Sequence, residues 1–303
     1  MIFFDIIILL AFSFFKKKES ISFDKDNSAF LKAILPFFII WNHTIPDGGH
    51  GTYWVGLFFF ISGYGLECKR LSVNKMQWGG RFLKIIIPLI LPLTAYIVIR
   101  ELTAGFSFND VIQSLKRYEL ILPHTWFIIT ILTLYIFFII ASKLSQKYFL
   151  PIIAVIITIY IAVLYVLKVE SSLYSSEYGF LAGILFYHIE PYLQKYMKQL
   201  WIGLVLLCIS LIFYEVIPPF EMFYNMWLFA LAVAVLLTTV ITKNGIIKFF
   251  SEISYEVYLC QAVGNALACM LTNNVIYVFI ITSCISVIMA IVFHKLTDRF
   301  FYI

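Results

Sequence analysis

Residues 150–167 read LPIIAVIITIYIAVLYVL, eighteen consecutive residues without a charged side chain. A helix of that length, at about 1.5 Å per residue, spans roughly 27 Å, close to the ~30 Å hydrocarbon core of a bilayer. Polar and apolar residues do not alternate along the stretch, as they would in a strand of a membrane barrel. The stretch therefore predicts a membrane-spanning helix.

The rest of the chain follows the same pattern. Of its 303 residues, 62% are hydrophobic and 13% are charged, whereas soluble domains average about 45–50% apolar and about 25% charged residues. We therefore predict an all-α polytopic membrane helix bundle with ten core transmembrane helices. The apolar segments that predict these helices lie at residues 28–45, 52–68, 83–99, 124–142, 150–167, 178–190, 200–217, 224–242, 249–270 and 275–294.

A short apolar segment precedes this bundle. Residues 1–15 are followed by three lysines at 16–18, whereas a signal peptide carries its charges before the apolar core. About 14 apolar residues reach roughly 21 Å, so we expect the segment either to cross the membrane as a short helix or to lie at the interface. We assign residues 1–23 to this short N-terminal apolar helix and basic stretch, and residues 24–303 to a ten-helix membrane domain.

The positively charged residues fall on alternate connections between the predicted helices. Cytoplasmic loops of membrane proteins carry an excess of Lys and Arg. If residues 15–32 are cytoplasmic, 18 of the 22 Lys and Arg residues lie on the cytoplasmic side. The four on the outside are Arg100, Lys116, Arg117 and Lys168. This asymmetry predicts a multi-pass protein with a cytoplasmic C-terminus.

Lys32 and His43 lie near the two ends of the first core segment, which contains LKAILPFFIIWNH. Eleven helical residues at 100° each put the two side chains on nearly the same face, about 16 Å apart along the axis. Either residue alone fits an interfacial role, as a lysine reaching the membrane surface or a hydrogen-bonded histidine. Together they form a candidate functional pair, because ionisable groups within a membrane are often functional. His43 is the candidate general base, and Asn42 and Asp47 are candidates to orient its ring.

A second basic group begins the third core segment. Arg81 and Lys84 are three residues apart and therefore share a helix face. Guanidinium and ammonium groups pair well with phosphates, which indicates a site for a phosphate-bearing ligand. The alternative is the ordinary excess of positive charge on the cytoplasmic side.

Several motifs together resemble those of the integral membrane acyltransferase 3 family, the ten-span bacterial enzymes that O-acylate sugars. From about residue 24 to residue 299 they are Lys32 with ten residues before His43, Gly56 and FFFISGY with Ser62, Gly63 and Tyr64, Arg81 and Lys84 before Pro88, HTWFI with Trp126 and Phe127, FLAGILF with Gly183, and ISYEVYLCQ with Tyr255 and Gln261. Two positions depart from the family's pattern. Lys84 replaces an arginine and loses bidentate pairing, and Gln261 replaces a histidine and cannot titrate.

The resemblance implies a membrane O-acyltransferase of the bacterial inner membrane. It implies acetyl-CoA or another acyl-CoA as co-substrate, no metal, and a hydroxyl of a cell-surface glycan or lipid-linked sugar as acceptor. His43 would act as general base or as a transient acyl carrier, and both routes stay open. The residues implied for acyl-CoA are Lys32, Arg81, Lys84, Ser62, Gly63 and Tyr64, and those for the acceptor are Tyr53, Trp54, Trp126, Tyr255 and Gln261.

Two other classes of polytopic protein fit the composition. A glycan polymerase or ligase is expected to carry a large outer loop with several arginines, and the longest predicted outer connection, 100–123, has only Arg100, Lys116 and Arg117 as basic residues. A secondary transporter is expected to show internal repeats, and we find no sequence repeat. We expect lipid as the surrounding partner and no nucleic acid, and the sequence leaves the oligomeric state open.

Overall fold

The computed structural model describes residues 23–44, 51–72, 78–193 and 244–301. These residues form α-helices and no β-strand, so the predicted all-α fold is confirmed for the described part of the chain. The helices are α1 (Lys25–Thr44), α2 (Gly51–Ser72), α3 (Trp78–Ala104), α4 (Phe108–Lys116), α5 (Trp126–Leu144), α6 (Phe149–Val166), α7 (Tyr178–Leu193), α8 (Gly245–Glu252), α9 (Ser254–Leu271) and α10 (Val275–Phe301).

Four of the described helices are long and apolar enough to cross a membrane. They are Trp78–Thr103 within α3, the whole of α5 and α6, and Val275–Thr297 within α10. The prediction of a helical membrane protein is confirmed at this level. The predicted segments at 200–217 and 224–242 lie outside the described residues, as does the N-terminal apolar helix, so the count of ten core helices stays a prediction.

Two local features differ from the segments predicted by hydropathy. The segment predicted at 249–270 is divided between α8 and α9 at Ile253, whose φ of −95° and ψ of 4° depart from the α-helical region. The predicted outer connection contains the amphipathic helix α4. Ser107 and Asp110 start α4 with a capping box, in which each side chain accepts a hydrogen bond from the backbone of the other.

The chain divides into two compact units, and each is described here by itself. The first unit comprises Met1–Leu31, Thr52–Met76 and Leu134–Lys248, and the second comprises Lys32–Gly51, Gln77–Thr133 and Phe249–Ile303.

Glycines bring α2 and α7 into close backbone contact in the first unit. A Cβ atom placed on Gly63 would lie 2.1 Å from the carbonyl oxygen of Phe180, and one on Gly183 would lie 2.0 Å from that of Phe60. Real Cβ atoms do not approach other atoms so closely. Glycine is therefore required at both positions, since small residues let membrane helices pack backbone to backbone.

A buried ion pair also joins helices of the first unit. Glu67 on α2 is fully buried, and Arg70 donates to both of its carboxylate oxygens, at 2.7 and 2.6 Å. His188 Nε2 on α7 lies 2.7 Å from Glu67 Oε1. The guanidinium of Arg70 lies 4.0 Å from the ring centroid of Phe149 at the start of α6. These contacts connect α2 to α7 through the carboxylate of Glu67 and to α6 through the guanidinium of Arg70.

Glu177 is a second buried carboxyl group in this unit, in the turn just before α7. Neither of its carboxylate oxygens has a hydrogen-bond partner among the described residues. Burial raises the pKa of Glu177 to about 8. Glu177 is therefore mostly protonated at neutral pH. The hydroxyl of the neighbouring Ser176 donates to the carbonyl of Thr52, at 2.9 Å.

In the second unit, α9 packs against α10 and α3. A Cβ atom on Gly264 of α9 would lie 2.9 Å from the carbonyl oxygen of Thr282 and 2.8 Å from Ser286 Oγ, both on α10. The hydroxyl of Tyr255 donates to the carbonyl of Ile85 on α3, at 2.8 Å. These two contacts fix the position of α9, whose next turns carry side chains of the candidate site.

Candidate functional site

A cavity of about 220 Å³ lies within the second unit. It is lined by residues of α1, α3, α9 and α10 and of the segment before α5. This volume is below the ~300–1,000 Å³ of pockets that enclose drug-sized ligands, so the cavity has room for a small molecule or for one end of a longer one. The lining residues that bear on its chemistry are His43, Tyr96, His124, Gln261, Asn265 and Thr282.

His43 reaches this cavity from the last turn of α1. The helix continues without a break from Lys25 to Thr44, although Pro36 lies inside it. His43 Nδ1 lies 3.2 Å from Oε1 of Gln261 on α9. An amide oxygen can only accept a hydrogen bond, so Nδ1 carries the hydrogen and the lone pair of the neutral ring is on Nε2. Gln261 therefore sets the tautomer in which Nε2 is the basic nitrogen.

A second imidazole lies against the first. The rings of His43 and His124 are stacked, with centroids 3.7 Å apart and an angle of 12° between their planes. Two positive charges at this separation would repel each other strongly away from bulk water. The stack therefore favours the uncharged form of at least one ring.

The backbone of His124 is held on both sides. Its φ of 65° is in the left-handed region, which few residues other than glycine adopt. Its N–H donates to Oε1 of Glu119, at 2.7 Å, and its carbonyl accepts from the hydroxyl of Tyr258. The other oxygen of Glu119 accepts from Nε of Arg117, at 3.1 Å. These hydrogen bonds offset the unfavourable φ and fix where the ring lies.

The three cations predicted to bind phosphate also belong to the second unit. Lys32 is half-buried and shares the unbroken helix α1 with His43. Arg81 is half-buried and Lys84 is exposed, both in the first two turns of α3. Among the described residues, no carboxylate forms an ion pair with any of the three. Their assignment to acyl-CoA stays a prediction.

The other residues assigned to acyl-CoA belong to the first unit. Ser62 Oγ lies 2.8 Å from the hydroxyl of Tyr135. Gly63 packs against α7, as described above, and the hydroxyl of Tyr64 lies 2.7 Å from Glu190 Oε2. Each residue thus has a contact that supports the fold of its own unit, and a role in binding acyl-CoA stays a prediction.

The residues assigned to the acceptor fall into both units. Tyr53 is half-buried and Trp54 is buried, both in the first turn of α2. Trp126 is half-buried at the start of α5, and Tyr255 binds the backbone of α3. Gln261 lines the cavity. The contact between Gln261 and His43 connects a residue expected to bind the acceptor with the candidate base.

The assignment of Asn42 and Asp47 as residues that orient His43 stays a prediction. Asn42 packs against the start of α2, since a Cβ atom on Gly51 would lie 2.5 Å from its Nδ2. Asp47 lies outside the described residues. The residue whose side chain meets Nδ1 of His43 is Gln261, which was predicted to bind the acceptor rather than to orient the ring.

Of the six lining residues that bear on the chemistry of the cavity, four were not predicted as site residues. They are Tyr96, His124, Asn265 and Thr282. His124 lies within the motif HTWFI, where only Trp126 and Phe127 were related to the family, and a histidine directly after Pro123 was the available signal. Tyr96, Asn265 and Thr282 lie within apolar helices and had no distinguishing spacing.

Comparison of the chain with curated proteins and with solved structures found no match. The family model of the acyltransferase 3 family, described as an acyltransferase domain, matches residues 26–295, nearly the whole chain. The resemblance inferred from the motifs is thereby confirmed. The chain belongs to the acyltransferase 3 family and is a membrane acyltransferase.

Proposed function

We propose that the chain is an O-acyltransferase that moves an acyl group, most simply acetyl, from cytoplasmic acyl-CoA to a hydroxyl of a cell-surface glycan or glycolipid. The observation that carries the proposal is the hydrogen bond between His43 and Gln261 beside the cavity. It leaves Nε2 of His43 as the available base. Family membership supports the reaction class.

His43 acts as the general base in this proposal. Nε2 takes the proton of the acceptor hydroxyl while the hydroxyl oxygen attacks the thioester carbonyl carbon. The carbon–sulfur bond then breaks, and the CoA thiolate takes up the proton from the imidazolium. Gln261 accepts from Nδ1 throughout and keeps the ring in one orientation. The stacked His124 disfavours a long-lived imidazolium, which favours return of the proton to the leaving thiolate.

Lys32, Arg81 and Lys84 bind the phosphates of CoA in this proposal. They are three cations of one unit, and no described carboxylate competes for them. Lys32 is eleven residues from His43 on α1, which corresponds to about 16 Å along the helix axis. The pantetheine arm is extended enough to bridge a distance of this order, so the thioester reaches the cavity while the nucleotide stays near the cations.

We further propose that the protein lies in the bacterial inner membrane with its C-terminus in the cytoplasm. The support is the uneven distribution of Lys and Arg between alternate connections. In this orientation the start of α1 faces the cytoplasm and its last turn, with His43, faces the outside. The donor and the acceptor then approach the cavity from opposite sides of the membrane.

The test uses inside-out membrane vesicles that contain the full-length protein and are given [14C]acetyl-CoA. Alkali-labile label in the glycan and glycolipid fractions measures the O-acetyl ester. We expect label with the wild-type chain and none above background with His43→Ala, at equal amounts of folded protein. Wild-type incorporation by His43→Ala would refute the catalytic role of His43, and label that only enters the vesicle lumen as a free solute would indicate transport instead.

Two further measurements test the parts of the proposal. Arg81→Ala should raise the apparent KM for acetyl-CoA, whereas Lys143→Ala, the loss of an exposed cation on α5, should not; equal effects would reduce Arg81 to general surface charge. Rapid denaturation of the wild-type protein in cold detergent at neutral pH, with labelled donor and no acceptor, distinguishes the two routes without acid hydrolysis of an acyl-imidazole. Label retained on the protein and lost in His43→Ala indicates an acyl-histidine, and its absence supports direct transfer.

A further inference from the structure

Thr282 on α10 carries a hydroxyl group without a partner among the described residues, in the wall of the cavity that holds the candidate base. The residue lines the same cavity as His43 and Gln261 and is 1% exposed. Its Oγ1 has no hydrogen-bond partner among the described residues. Buried polar groups in folded proteins are nearly always hydrogen-bonded. The hydroxyl oxygen is hardly accessible where it lies, so a partner in the cavity requires a rotation about χ1 of Thr282 that turns the hydroxyl towards the ligand.

Four other helical threonines of this chain use their hydroxyl locally. Thr94, Thr103, Thr133 and Thr297 each donate to the carbonyl four residues earlier, at 2.8–3.0 Å. This is the usual way in which a threonine within an apolar helix satisfies its proton. The hydroxyl of Thr282 departs from this pattern, and its hydrogen remains available for another acceptor.

The packing of α9 against α10 holds Thr282 at this place. The carbonyl oxygen of Thr282 is so close to Gly264 that a Cβ atom there would lie 2.9 Å from it. Gln261 and Asn265, on the turns of α9 either side of Gly264, line the same cavity. The backbone of Thr282 is therefore fixed next to the helix that also orients His43.

We propose that Thr282 forms a binding subsite that donates its hydroxyl hydrogen to an oxygen atom of the bound substrate. The inference rests on the proposed function and deepens it, because it names a group that recognises the reacting part of the substrate. The oxygen belongs either to the thioester carbonyl of the donor or to a hydroxyl of the acceptor beside the one that reacts. Both are hydrogen-bond acceptors, and both come to the cavity when His43 acts on the reacting hydroxyl.

The two sources of this oxygen give different kinetics. Negative charge develops on the carbonyl oxygen as the tetrahedral intermediate forms, so a donor to that atom stabilises the transition state more than the ground state. Its loss lowers kcat. A donor to an alcohol oxygen that is not reacting contributes equally to both states, and its loss raises the KM for the acceptor.

The test compares Thr282→Val with Ser283→Ala. Valine has the shape of threonine without the hydroxyl. Ser283 is the matched control, because its buried Oγ also lacks a partner among the described residues. Unlike Thr282, it is not among the described residues that line the cavity. We expect Thr282→Val to lower kcat/KM about tenfold, the loss of one hydrogen bond, and Ser283→Ala to stay within about twofold. Thr282→Ser should keep most of the activity.

Thermal unfolding in detergent micelles separates this role from a structural one. Because Thr282→Val removes a buried hydroxyl without a partner, its unfolding midpoint should equal or exceed that of the wild type while its activity falls. Wild-type kcat/KM in Thr282→Val overturns the inference, as does an equal loss in Ser283→Ala. If His43→Ala is inactive while Thr282→Val has wild-type activity, the inference about Thr282 is wrong and the proposed function stands. If His43→Ala is fully active, the proposed function itself is wrong.

Discussion

Replacing Gly63 with alanine tests how much of the first unit depends on backbone contact between α2 and α7. The added Cβ would lie 2.1 Å from the carbonyl oxygen of Phe180, and distances under 3.0 Å are essentially never observed. This oxygen belongs to the backbone, so it cannot move away by a change of rotamer as a flexible side chain can. The two helices must therefore separate by about 1 Å.

A separation of this size weakens every contact along the interface. A gap of 0.5–1 Å forfeits about a quarter to a half of the dispersion energy of each contacting pair. The close contact between Gly183 and Phe60 belongs to the same interface, so it opens as well. Overpacking of well-packed interiors costs about 1–3 kcal/mol. We expect Gly63→Ala to lower the free energy of unfolding by about 3 kcal/mol, which lowers the unfolding midpoint by on the order of 5 °C.

The matched control is Gly65→Ala on the same helix. Gly65 is exposed and has no atom within 4 Å of its ideal Cβ position. Alanine stabilises a helix relative to glycine by about 0.5–1 kcal/mol, so the midpoint should stay or rise. The assay is thermal unfolding of both variants in detergent micelles, followed by the loss of the monodisperse peak in size-exclusion chromatography. Equal midpoints for Gly63→Ala and the wild type would refute close backbone contact between α2 and α7.

Three further predictions concern single side chains. Gln261→Leu should lower kcat about tenfold to a hundredfold, because Nδ1 of the site histidine loses its acceptor, whereas Gln261→His should retain activity; initial rates of transfer measure both, and a wild-type rate in the leucine variant excludes the orienting role. Glu67→Ala should destabilise the fold by about 3–5 kcal/mol because it leaves the guanidinium of Arg70 buried without its carboxylate; Lys69→Ala, at an exposed position, is the control in the same thermal assay, and equal midpoints for the two variants refute the prediction. Burial raises the pKa of Glu177 to about 8, so the folded state keeps a proton that the unfolded state releases above the ordinary pKa of a glutamate. The stability that this proton contributes is lost as the pH rises through about 8. The fall in unfolding midpoint between pH 6 and pH 9 should therefore be smaller in Glu177→Gln than in the wild type, and an equal fall refutes the prediction.

Hydropathy predicts the described long helices well and their interruptions poorly. The segment predicted at 124–142 is the helix Trp126–Leu144, because length and apolarity alone decide whether a segment suits a bilayer. The break at Ile253 was missed although the sequence around it turns polar, with Ser251 and Glu252 before it and Ser254 and Glu256 after it. Helix α4 was missed because its residues are amphipathic rather than apolar, although the spacing of Ser107 and Asp110 was a sequence signal for its start.

The candidate site was predictable in part. The pattern of ionisable residues singled out His43, and the family motifs added Gln261. The contact between them joins residues 218 positions apart, and no local pattern in one sequence encodes such a pairing. His124 depends on a left-handed backbone conformation and on hydrogen bonds to Glu119 and Tyr258, which follow from tertiary packing.

The hydrogen bonds that hold the backbone of His124 have a consequence for interpreting inactive variants. Glu119 and Tyr258 bind the main chain of His124, and neither is among the described residues that line the cavity. Their replacement frees the peptide groups on both sides of a strained residue, so the ring drifts away from its neighbour while the chemical groups of the cavity remain intact. A random mutagenesis screen for lost activity would therefore group Glu119 and Tyr258 with His43. Free imidazole would restore activity to a variant that lacks the side chain of His43, but not to variants of Glu119 or Tyr258.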